Sequence, residues 1–243
     1  MFGWLSRKAK KNRGPLPGPA APDGDLYVIG DIHGCSNLLD RLLEKLGTQT
    51  QIICVGDLVD RGEQSATVLR TLFQRKDIIC LQGNHEAMML SFIENPEKAG
   101  SRWLRYGGLQ TLASFGVSGV SEAAGPKVMS AARDDLVAKM GDDLLNWLVN
   151  LPSSYTSGNI AVVHAGADPM MPIESQSPKT LAWGHPDFGK VARPDQLWVI
   201  YGHVIHSDPQ IENGCVAIDT GAYATGTLTA AHVRDGEFDF ITA

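Results

Sequence analysis

Between residues 26 and 94, a short apolar run is followed three times by a polar turn and then by a stretch with helical periodicity. The turns read Gly30-Asp31-Ile32-His33-Gly34, Gly56-Asp57-Leu58-Val59-Asp60-Arg61-Gly62 and Gly83-Asn84-His85-Glu86. This alternation predicts parallel strands joined by right-handed crossovers. Because the carboxyl ends of parallel strands share one edge of a sheet, the three turns should meet where open α/β sheets bind ligands.

The remaining pattern extends this α/β prediction. Helices are predicted over 37–46 with Ser36 as N-cap, over 65–74 and over 86–93, and residues 94–150 form a largely helical insertion with an apolar set at 137–149. Strands are predicted at 26–29, 52–55, 78–81, 160–163, 196–200, 210–211, 215–218, 227–233 and 238–241. This order predicts two sheets packed face to face with helices outside, in one domain over 25–243.

Charge is unevenly distributed along the 243 residues. The net charge is -6, yet residues 1–24 hold five Lys or Arg and a single Asp, so the rest of the chain is strongly acidic. An acidic body argues against broad nucleic-acid binding. The basic, Pro/Gly-rich segment 1–24 is expected to be a disordered tail. The alternative is that this segment contacts an anionic membrane or a partner through Phe2, Trp4 and Leu5.

Cysteine spacing and hydropathy bear on location. No apolar run approaches the roughly 18 residues that a membrane span needs, and the start of the chain lacks the apolar core of a secretory signal. Of the four cysteines, at 35, 54, 80 and 215, none forms a C-x-x-C pair. Reduced thiols in a cytoplasmic protein are therefore expected.

Candidate metal ligands stand at five predicted strand ends. They are Asp31, His33, Asp57, Asn84, His164 in His164-Ala165-Gly166, and His203 in Gly202-His203. Oxygen and imidazole ligands without thiolate suit Mn²⁺, Fe or Zn²⁺. A single histidine after a strand is more often structural, but five polar strand ends in order are not a coincidence. Six ligands exceed the need of one catalytic ion, so a pair of ions about 3.5–4 Å apart, bridged by one carboxylate, is predicted.

Neighbouring side chains complete a phosphoryl-transfer site. Arg61 can bind two phosphate oxygens through its planar guanidinium. His85 can protonate the departing oxygen, and Asp60 can orient its imidazole and keep it charged.

These motifs, together with Ile218-Asp219-Thr220-Gly221-Ala222, resemble those of the phosphoprotein phosphatase branch of the calcineurin-like metallophosphoesterases, above all the small bacterial and phage serine/threonine phosphatases. The likeness spans about residues 25–233. It implies a four-layer α/β/β/α sandwich, and a serine/threonine phosphatase in which a metal-bridging hydroxide attacks the phosphoester in line. It also implies that two divalent metal ions, commonly Mn²⁺ in bacterial members, are held by the six ligands named above. Asp31 and His33 would bind the first ion, Asp57 would bridge, and Asn84, His164 and His203 would bind the second.

One segment departs from the family pattern. Close relatives carry an arginine after the tryptophan in the segment matching Ala182-Trp183-Gly184-His185. His185 is a candidate substitute for that second phosphate ligand; the alternative is a histidine on a mobile loop.

Three other functions stay open. A symmetrical dinucleoside polyphosphate hydrolase shares the metal motifs, but such enzymes tend to have Asp where Glu86 stands and to depart from the Asp-Arg-Gly form at Asp60. A nuclease or phosphodiesterase usually ends in Gly-His-x-His, and His206 lies one residue too far from His203. A catalytically weak metal-binding interaction module would have no use for an acid such as His85.

Overall fold

A computed structural model describes residues 16–47 and 49–243. The strands are β1 (Leu26–Ile29), β2 (Gln51–Cys54), β3 (Ile78–Cys80), β4 (Ser154–Ser157), β5 (Ile160–Val163), β6 (Trp198–Tyr201), β7 (Gln210–Glu212), β8 (Cys215–Ala217), β9 (Thr229–Arg234) and β10 (Glu237–Thr242). The α-helices are α1 (Ser36–Lys45), α2 (Ser65–Gln74), α3 (Asn84–Glu94), α4 (Pro96–Trp103), α5 (Leu109–Ser114), α6 (Pro126–Met140), α7 (Asp142–Val149), α8 (Pro178–Trp183) and α9 (Ala222–Thr225).

The strands form two five-stranded mixed sheets. The first has the order β10-β9-β1-β2-β3, in which β1, β2 and β3 are parallel and β9 and β10 are antiparallel additions. The second has the order β4-β5-β6-β8-β7, with β5, β6 and β8 parallel and antiparallel strands at both edges. In each sheet the parallel strands carry the predicted polar turns at their carboxyl ends.

Three apolar cores separate four layers. Between the sheets, alternate residues of facing strands, such as Val28, Ile53, Val162 and Val216, are fully buried. The opposite face of the first sheet packs on the long helices of the amino-terminal half, and the opposite face of the second packs on α8 through Leu181. The α/β/β/α sandwich is therefore confirmed.

The apolar set at 137–149 is divided between two helices, α6 and α7, because Gly141 with φ 77° breaks the helix between them. Most other predicted elements match within two residues, but two details were wrong. Edge strand β4 was not among the predicted strands. Ser36 is the first helical residue rather than the N-cap, and its hydroxyl donates to Gln64 Oε1 at 2.8 Å.

The helical insertion reaches back to the polar edge of the first sheet. A π-helical turn, Leu104–Gly108, joins α4 to α5, and the carbonyl of Gly107 accepts from the N–H of Arg61 at 3.4 Å. Trp103 is fully buried and its ring packs on Phe92 at 4.7 Å between centroids. The insertion thus forms one wall beside the turn that follows β2.

The segment just before β1 differs from the expected disordered tail. Ala20 is only 1% exposed, and its carbonyl accepts from Gly236 N at 2.7 Å. Asn159 Oδ1 accepts from Ala21 N at 2.7 Å, and Trp198 Nε1 donates to Gly18 O at 2.8 Å. Residues 18–21 therefore lie against both sheets, while the basic cluster and Phe2, Trp4 and Leu5 fall outside the described residues.

Within residues 16–47 and 49–243, every helix is too short or too polar to cross a bilayer.

Candidate metal and phosphate site

All six predicted metal ligands lie at one end of the two sheets. Two overlapping groups have ligand atoms within 4.8 Å of one another, namely His33, Asp57 and His85, and Asp57, His164 and His203. Asp57 belongs to both groups, as a bridging ligand must. It reaches this position because β2 lies between β1 and β3 in the first sheet and its end faces His164 of the second sheet, whose Nδ1 is 3.1 Å from the carbonyl of Val55.

Distances between ligand atoms are short enough for shared coordination. Asp57 Oδ2 lies 3.5 Å from His33 Nε2, and Asp57 Oδ1 lies 3.3 Å from His164 Nε2. The Oδ1 of Asn84 lies 2.8 Å from both His164 Nε2 and His203 Nδ1. Asp31 Oδ2 is 4.0 Å from His33 Nε2, and the Asp31 oxygens accept from the backbone N–H of His203 at 3.0 and 3.1 Å.

The imidazoles of His33 and His164 each have one nitrogen free to bind a metal ion. His33 Nδ1 lies 2.8 Å from the carbonyl of Val59, and His164 Nδ1 lies 3.1 Å from the carbonyl of Val55. Carbonyls only accept, so the single proton of each neutral ring sits on Nδ1 and the Nε2 lone pair faces the carboxylate cluster. Burial lowers the pKa of His33 to about 3 and that of His164 to about 4, which keeps both rings neutral.

The carboxylates at this edge need a cation. Burial, then Asp219 and Asp57, raise the pKa of Asp31 well above its usual range. Burial also raises the pKa of Asp57, but His164, His85 and His33 lower it further than burial raises it. Buried carboxylates that face unprotonated imidazole nitrogens repel them, and a divalent ion between the two removes that repulsion. The donor set therefore fits two metal ions.

Backbone conformation singles out the same residues. Of the seven described non-glycine residues with positive φ, five are predicted site residues: His33 (44°), Asp57 (49°), Asp60 (69°), Arg61 (67°) and His203 (67°). This region is uncommon for residues with a Cβ, and each instance costs about 1–3 kcal/mol in typical cases. Such strain persists only where surrounding contacts enforce it, and it concentrates at functional sites.

Two of the family-motif glycines are required by close approach. A Cβ at Gly202 would overlap the Oδ1 of Asp31, and a Cβ at Gly83 would overlap the Oδ1 of Asp57. Any larger residue at either position would displace a candidate metal ligand.

His85 and Asp60 form a buried pair beside the ligands. His85 Nδ1 lies 2.7 Å from Asp60 Oδ2, and both side chains are at most 1% exposed. Trp103 Nε1 donates to both Asp60 oxygens at 3.1 and 2.9 Å, and Thr111 Oγ1 donates to Oδ1 at 2.6 Å. Burial lowers the pKa of His85, but Asp57 and the hydrogen bond to Asp60 raise it more, so it lies above its ordinary value.

The position of the other nitrogen of His85, Nε2, is compatible with two roles. His85 Nε2 lies 3.3 Å from Arg61 Nη2 and 3.9 Å from Asp57 Oδ2. A proton donor beside the phosphate-binding arginine and a third ligand for the ion at His33 are both compatible with this position.

Arg61 has a partner that the sequence did not indicate. Its Nη1 donates to the hydroxyl of Tyr223 at 2.6 Å, and its guanidinium carbon lies 4.8 Å from the centre of that ring. Tyr223 also meets His33 edge to face at 5.2 Å between centroids. Its place one residue after the Asp219-Thr220-Gly221-Ala222 segment was the available signal.

Glu86 has an organising role that the sequence also did not indicate. Its Oε1 accepts from Leu58 N at 2.8 Å and Val59 N at 3.2 Å, while Oε2 accepts from Asp57 N and Gly83 N, both at 2.8 Å. One carboxylate therefore joins the turn after β2 to the start of α3. The available signal was an acidic residue at the start of a predicted helix; because α3 begins two residues earlier, at Asn84, Glu86 takes the third position, as in a capping box.

His185 is not brought into the ligand cluster. Its Nε2 lies 3.8 Å from Asp168 Oδ2, and its Nδ1 accepts from Asp187 N at 3.3 Å. His185 and His203 line the same cavity of 580 Å³. Its predicted contact with phosphate therefore stays a prediction.

Comparison with known families identifies the fold and chemistry. The sequence model for the calcineurin-like phosphoesterases matches residues 25–207. The chain belongs to the calcineurin-like phosphoesterase family. It is a metal-dependent phosphoesterase, as predicted, of a family that acts with two metal ions.

Curated relatives in this family are named as dinucleotide hydrolases. The asymmetrical bis(5'-nucleosyl)-tetraphosphatase PrpE of Oceanobacillus iheyensis is 28% identical over 87% of this chain and 89% of its own. The symmetrical bis(5'-nucleosyl)-tetraphosphatase of Ectopseudomonas mendocina is 33% identical, over 59% of this chain and 45% of its own. The chain thus spans less than half the length of that symmetrical relative.

Solved phosphoesterase structures share the fold across several specificities. A putative diadenosine tetraphosphatase matches with a TM-score of 0.63 at 20% identity, covering 94% of this chain and 99% of its own. A serine/threonine phosphatase from Saccharomyces cerevisiae matches with a TM-score of 0.55 at 16% identity, covering 93% and 84%. At these identities the likeness concerns the fold alone. The family prediction is confirmed, while the named relatives favour the dinucleotide alternative over the protein phosphatase branch.

Proposed function

We propose that this phosphoesterase hydrolyses bis(5'-nucleosyl) tetraphosphates such as diadenosine tetraphosphate, with Mn²⁺ as the metal in both positions. The observation that carries the proposal is the near-full-length likeness to the asymmetrical tetraphosphatase, which covers 87% of one chain and 89% of the other. That likeness outweighs the preference for a protein phosphatase based on Glu86 and Asp60.

Within this proposal each ligand has a place. Asp31 and His33 would hold one ion, Asn84, His164 and His203 would hold the other, and Asp57 would be shared between them. Metal ions bound there would supply positive charge for the phosphate and a lowered pKa of water. Arg61, oriented by Tyr223 at 2.6 Å, binds the non-bridging oxygens of the phosphate that is attacked.

His85 acts as proton donor to the departing oxygen. Its Nδ1 is fixed by Asp60 at 2.7 Å, so its Nε2 points away from that carboxylate and toward the side of Arg61. How much the reaction needs a proton from His85 depends on the basicity of the leaving group. A departing nucleotide phosphate has a terminal pKa of about 6, whereas a serine or threonine alkoxide is far more basic.

A serine/threonine protein phosphatase is the second candidate, and this dependence supports it. A buried pair in which Asp60 keeps the imidazole protonated, and Trp103 and Thr111 hold Asp60 in place, is most useful when the leaving oxygen is an alkoxide. The two functions therefore make different demands on His85, which can be measured.

A competition panel tests the proposal. The full chain, stripped with EDTA and reloaded with Mn²⁺, is given diadenosine tetraphosphate and peptides carrying phosphoserine, phosphothreonine or phosphotyrosine. We expect kcat/KM to be at least about tenfold higher for the dinucleotide. Chromatography of the products distinguishes ATP with AMP from two ADP.

Controls separate the alternatives. Asp57→Asn should abolish every activity, since it removes the shared ligand. Higher kcat/KM on phosphoserine or phosphothreonine peptides would replace the proposal with the second candidate. No hydrolysis of any substrate with Mn²⁺, Fe²⁺ or Zn²⁺ would favour a metal-binding interaction module.

A reducing compartment, the cytoplasm, is part of the same proposal. All four cysteines are free thiols, and those at 54, 80 and 215 are buried. A nucleotide substrate suits that compartment.

A further inference from the structure

A cavity of 660 Å³ lies between α3, α4 and α8, outside the ligand cluster. Lys98, Arg102 and Lys179 line it, together with two tryptophans, Trp103 and Trp183. Its volume is that of a small-molecule site. None of the predicted metal or phosphate ligands lines it.

This cavity, which we call the cationic pocket, adjoins the catalytic side chains on two walls. Trp103 lines it while donating its indole N–H to Asp60, the partner of His85. Trp183 lines it with its ring centre 6.4 Å from that of His203. Its third wall, α3, begins with Asn84 and His85. The pocket therefore lies next to the site, on the side of the proposed proton donor, where a leaving group must lie.

The cationic pocket is positively charged, although the molecule as a whole is acidic. Lys98 and Arg102 are one turn apart on α4, and Lys179 faces them from α8. Among residues 16–47 and 49–243, none of the three is within 4.0 Å of a carboxylate oxygen, although the chain has a net charge of -6. No Asp or Glu of the described ranges lines the pocket. Three cations without acidic partners favour a ligand with several negative charges.

Trp183 adds a flat apolar surface. It is 39% exposed, unlike Trp103, and the guanidinium carbon of Arg102 lies 5.3 Å from its ring centre. An exposed tryptophan beside a cation is a suitable platform for a nucleobase, which stacks on aromatic and guanidinium groups alike.

We propose that the cationic pocket binds the part of a nucleoside polyphosphate that departs from the metal site, with Lys98, Arg102 and Lys179 on the phosphates and Trp183 against the base. This inference rests on the proposed function and assigns its substrate-binding residues. A phosphopeptide does not present a chain of phosphates, so three cations beyond the scissile group match a polyphosphate better. Among the described residues, the 580 Å³ cavity on the other side of Trp183 is lined by a single lysine, Lys190, and by the histidines His185 and His203, which makes it the poorer match for a chain of phosphates.

The first test compares two substrates. Diadenosine tetraphosphate would occupy both the metal site and the pocket, whereas para-nitrophenyl phosphate reaches only the metal site. For the double variant Lys98→Ala/Arg102→Ala, and separately for Lys179→Ala on the opposite helix, we expect kcat/KM on the dinucleotide to fall about tenfold or more. Activity on para-nitrophenyl phosphate should stay within about twofold. Lys127→Ala is the matched control, since Lys127 is exposed on α6 and does not line the pocket.

A second test measures binding without catalysis. Diadenosine tetraphosphate is titrated into the EDTA-stripped protein by calorimetry. Trp183→Leu should weaken binding about tenfold, while Trp183→Phe, which keeps an aromatic face, should restore most of it. Thermal unfolding of each variant checks that the fold is retained.

Distinct results identify which idea fails. Equal losses on both substrates, or dinucleotide kinetics and binding that match those of Lys127→Ala, would overturn the pocket assignment even if the dinucleotide is hydrolysed. Losses confined to phosphopeptide hydrolysis would overturn the nucleotide class of ligand. Absence of dinucleotide hydrolysis in the unmodified chain would refute the proposed function, and calorimetry would still report on the pocket.

Discussion

Replacing Glu86 by glutamine should lower the free energy of unfolding, because the Glu86 carboxylate joins two turns of the site. All four acceptor positions of the Glu86 carboxylate are filled by backbone N–H groups, two on each oxygen, at 2.8 to 3.2 Å. A glutamine amide keeps one oxygen and replaces the other with an NH₂ group. Two N–H donors, on the turn after β2 or at the start of α3, would then face another donor.

The magnitude follows from burial. Glu86 is 0% exposed, so no water is available to satisfy the two donors that lose their acceptor. Each buried unsatisfied group costs about 1–3 kcal/mol, which gives a loss of about 2–6 kcal/mol in the free energy of unfolding. That is a large part of the stability of a typical domain, about 5–15 kcal/mol.

Urea unfolding of EDTA-stripped protein, followed by circular dichroism, measures this loss without a contribution from bound metal. Glu44→Gln is the matched control, because Glu44 is exposed on α1 and should change stability by less than about 0.5 kcal/mol. If Glu86→Gln unfolds at the same urea concentration as Glu44→Gln, the carboxylate does not hold the two turns together and the argument is wrong.

Three further predictions concern the proton donor, its support and the segment before β1. His85→Asn should lower kcat by about 10²- to 10⁴-fold on a phosphoserine peptide, and by less on diadenosine tetraphosphate, and leave the metal content measured by plasma emission unchanged; loss of metal would instead make His85 a ligand. Trp103→Phe removes the indole donor to the carboxylate that holds His85, so kcat on the same peptide should fall about tenfold with unchanged metal content. Its control, Trp147→Phe on α7, should retain kcat. Ala20→Asp places a charge in a position that is 1% exposed and should destabilise the fold by more than about 2 kcal/mol, whereas Ala21→Asp, at an exposed position, should not.

The sequence motifs predict the reaction class but not the substrate. The residues proposed to contact the scissile phosphate would serve a phosphomonoester and a phosphoanhydride alike, so Arg61 and His85 predicted a phosphoesterase without choosing between them. What distinguishes the substrates lies beyond the scissile bond. Lys98 and Lys179 stand outside every motif and come together only because α4 and α8 pack on opposite sides of one cavity.

The same contrast holds for the support of the acid. Asp60 and His85 were predicted as a pair from their motifs, and the side chains do meet at 2.7 Å. Trp103 and Thr111, which fix Asp60, come from an insertion whose helical turns give no sign of their target. Their direction depends on the π-helical turn at Leu104–Gly108, where Gly107 at φ 112° lets the chain approach Arg61.

Local sequence determined the layers, the strand ends and the set of candidate ligands, because hydrophobic periodicity fixes which face of each element is buried and parallel strands bring their carboxyl ends to one edge. It could not determine which side chains support those candidates, or where His185, Tyr223 and the cationic pocket would lie. Those positions depend on contacts between segments separated by many residues, such as Arg61 with Tyr223, and only packing of the complete chain sets such distances.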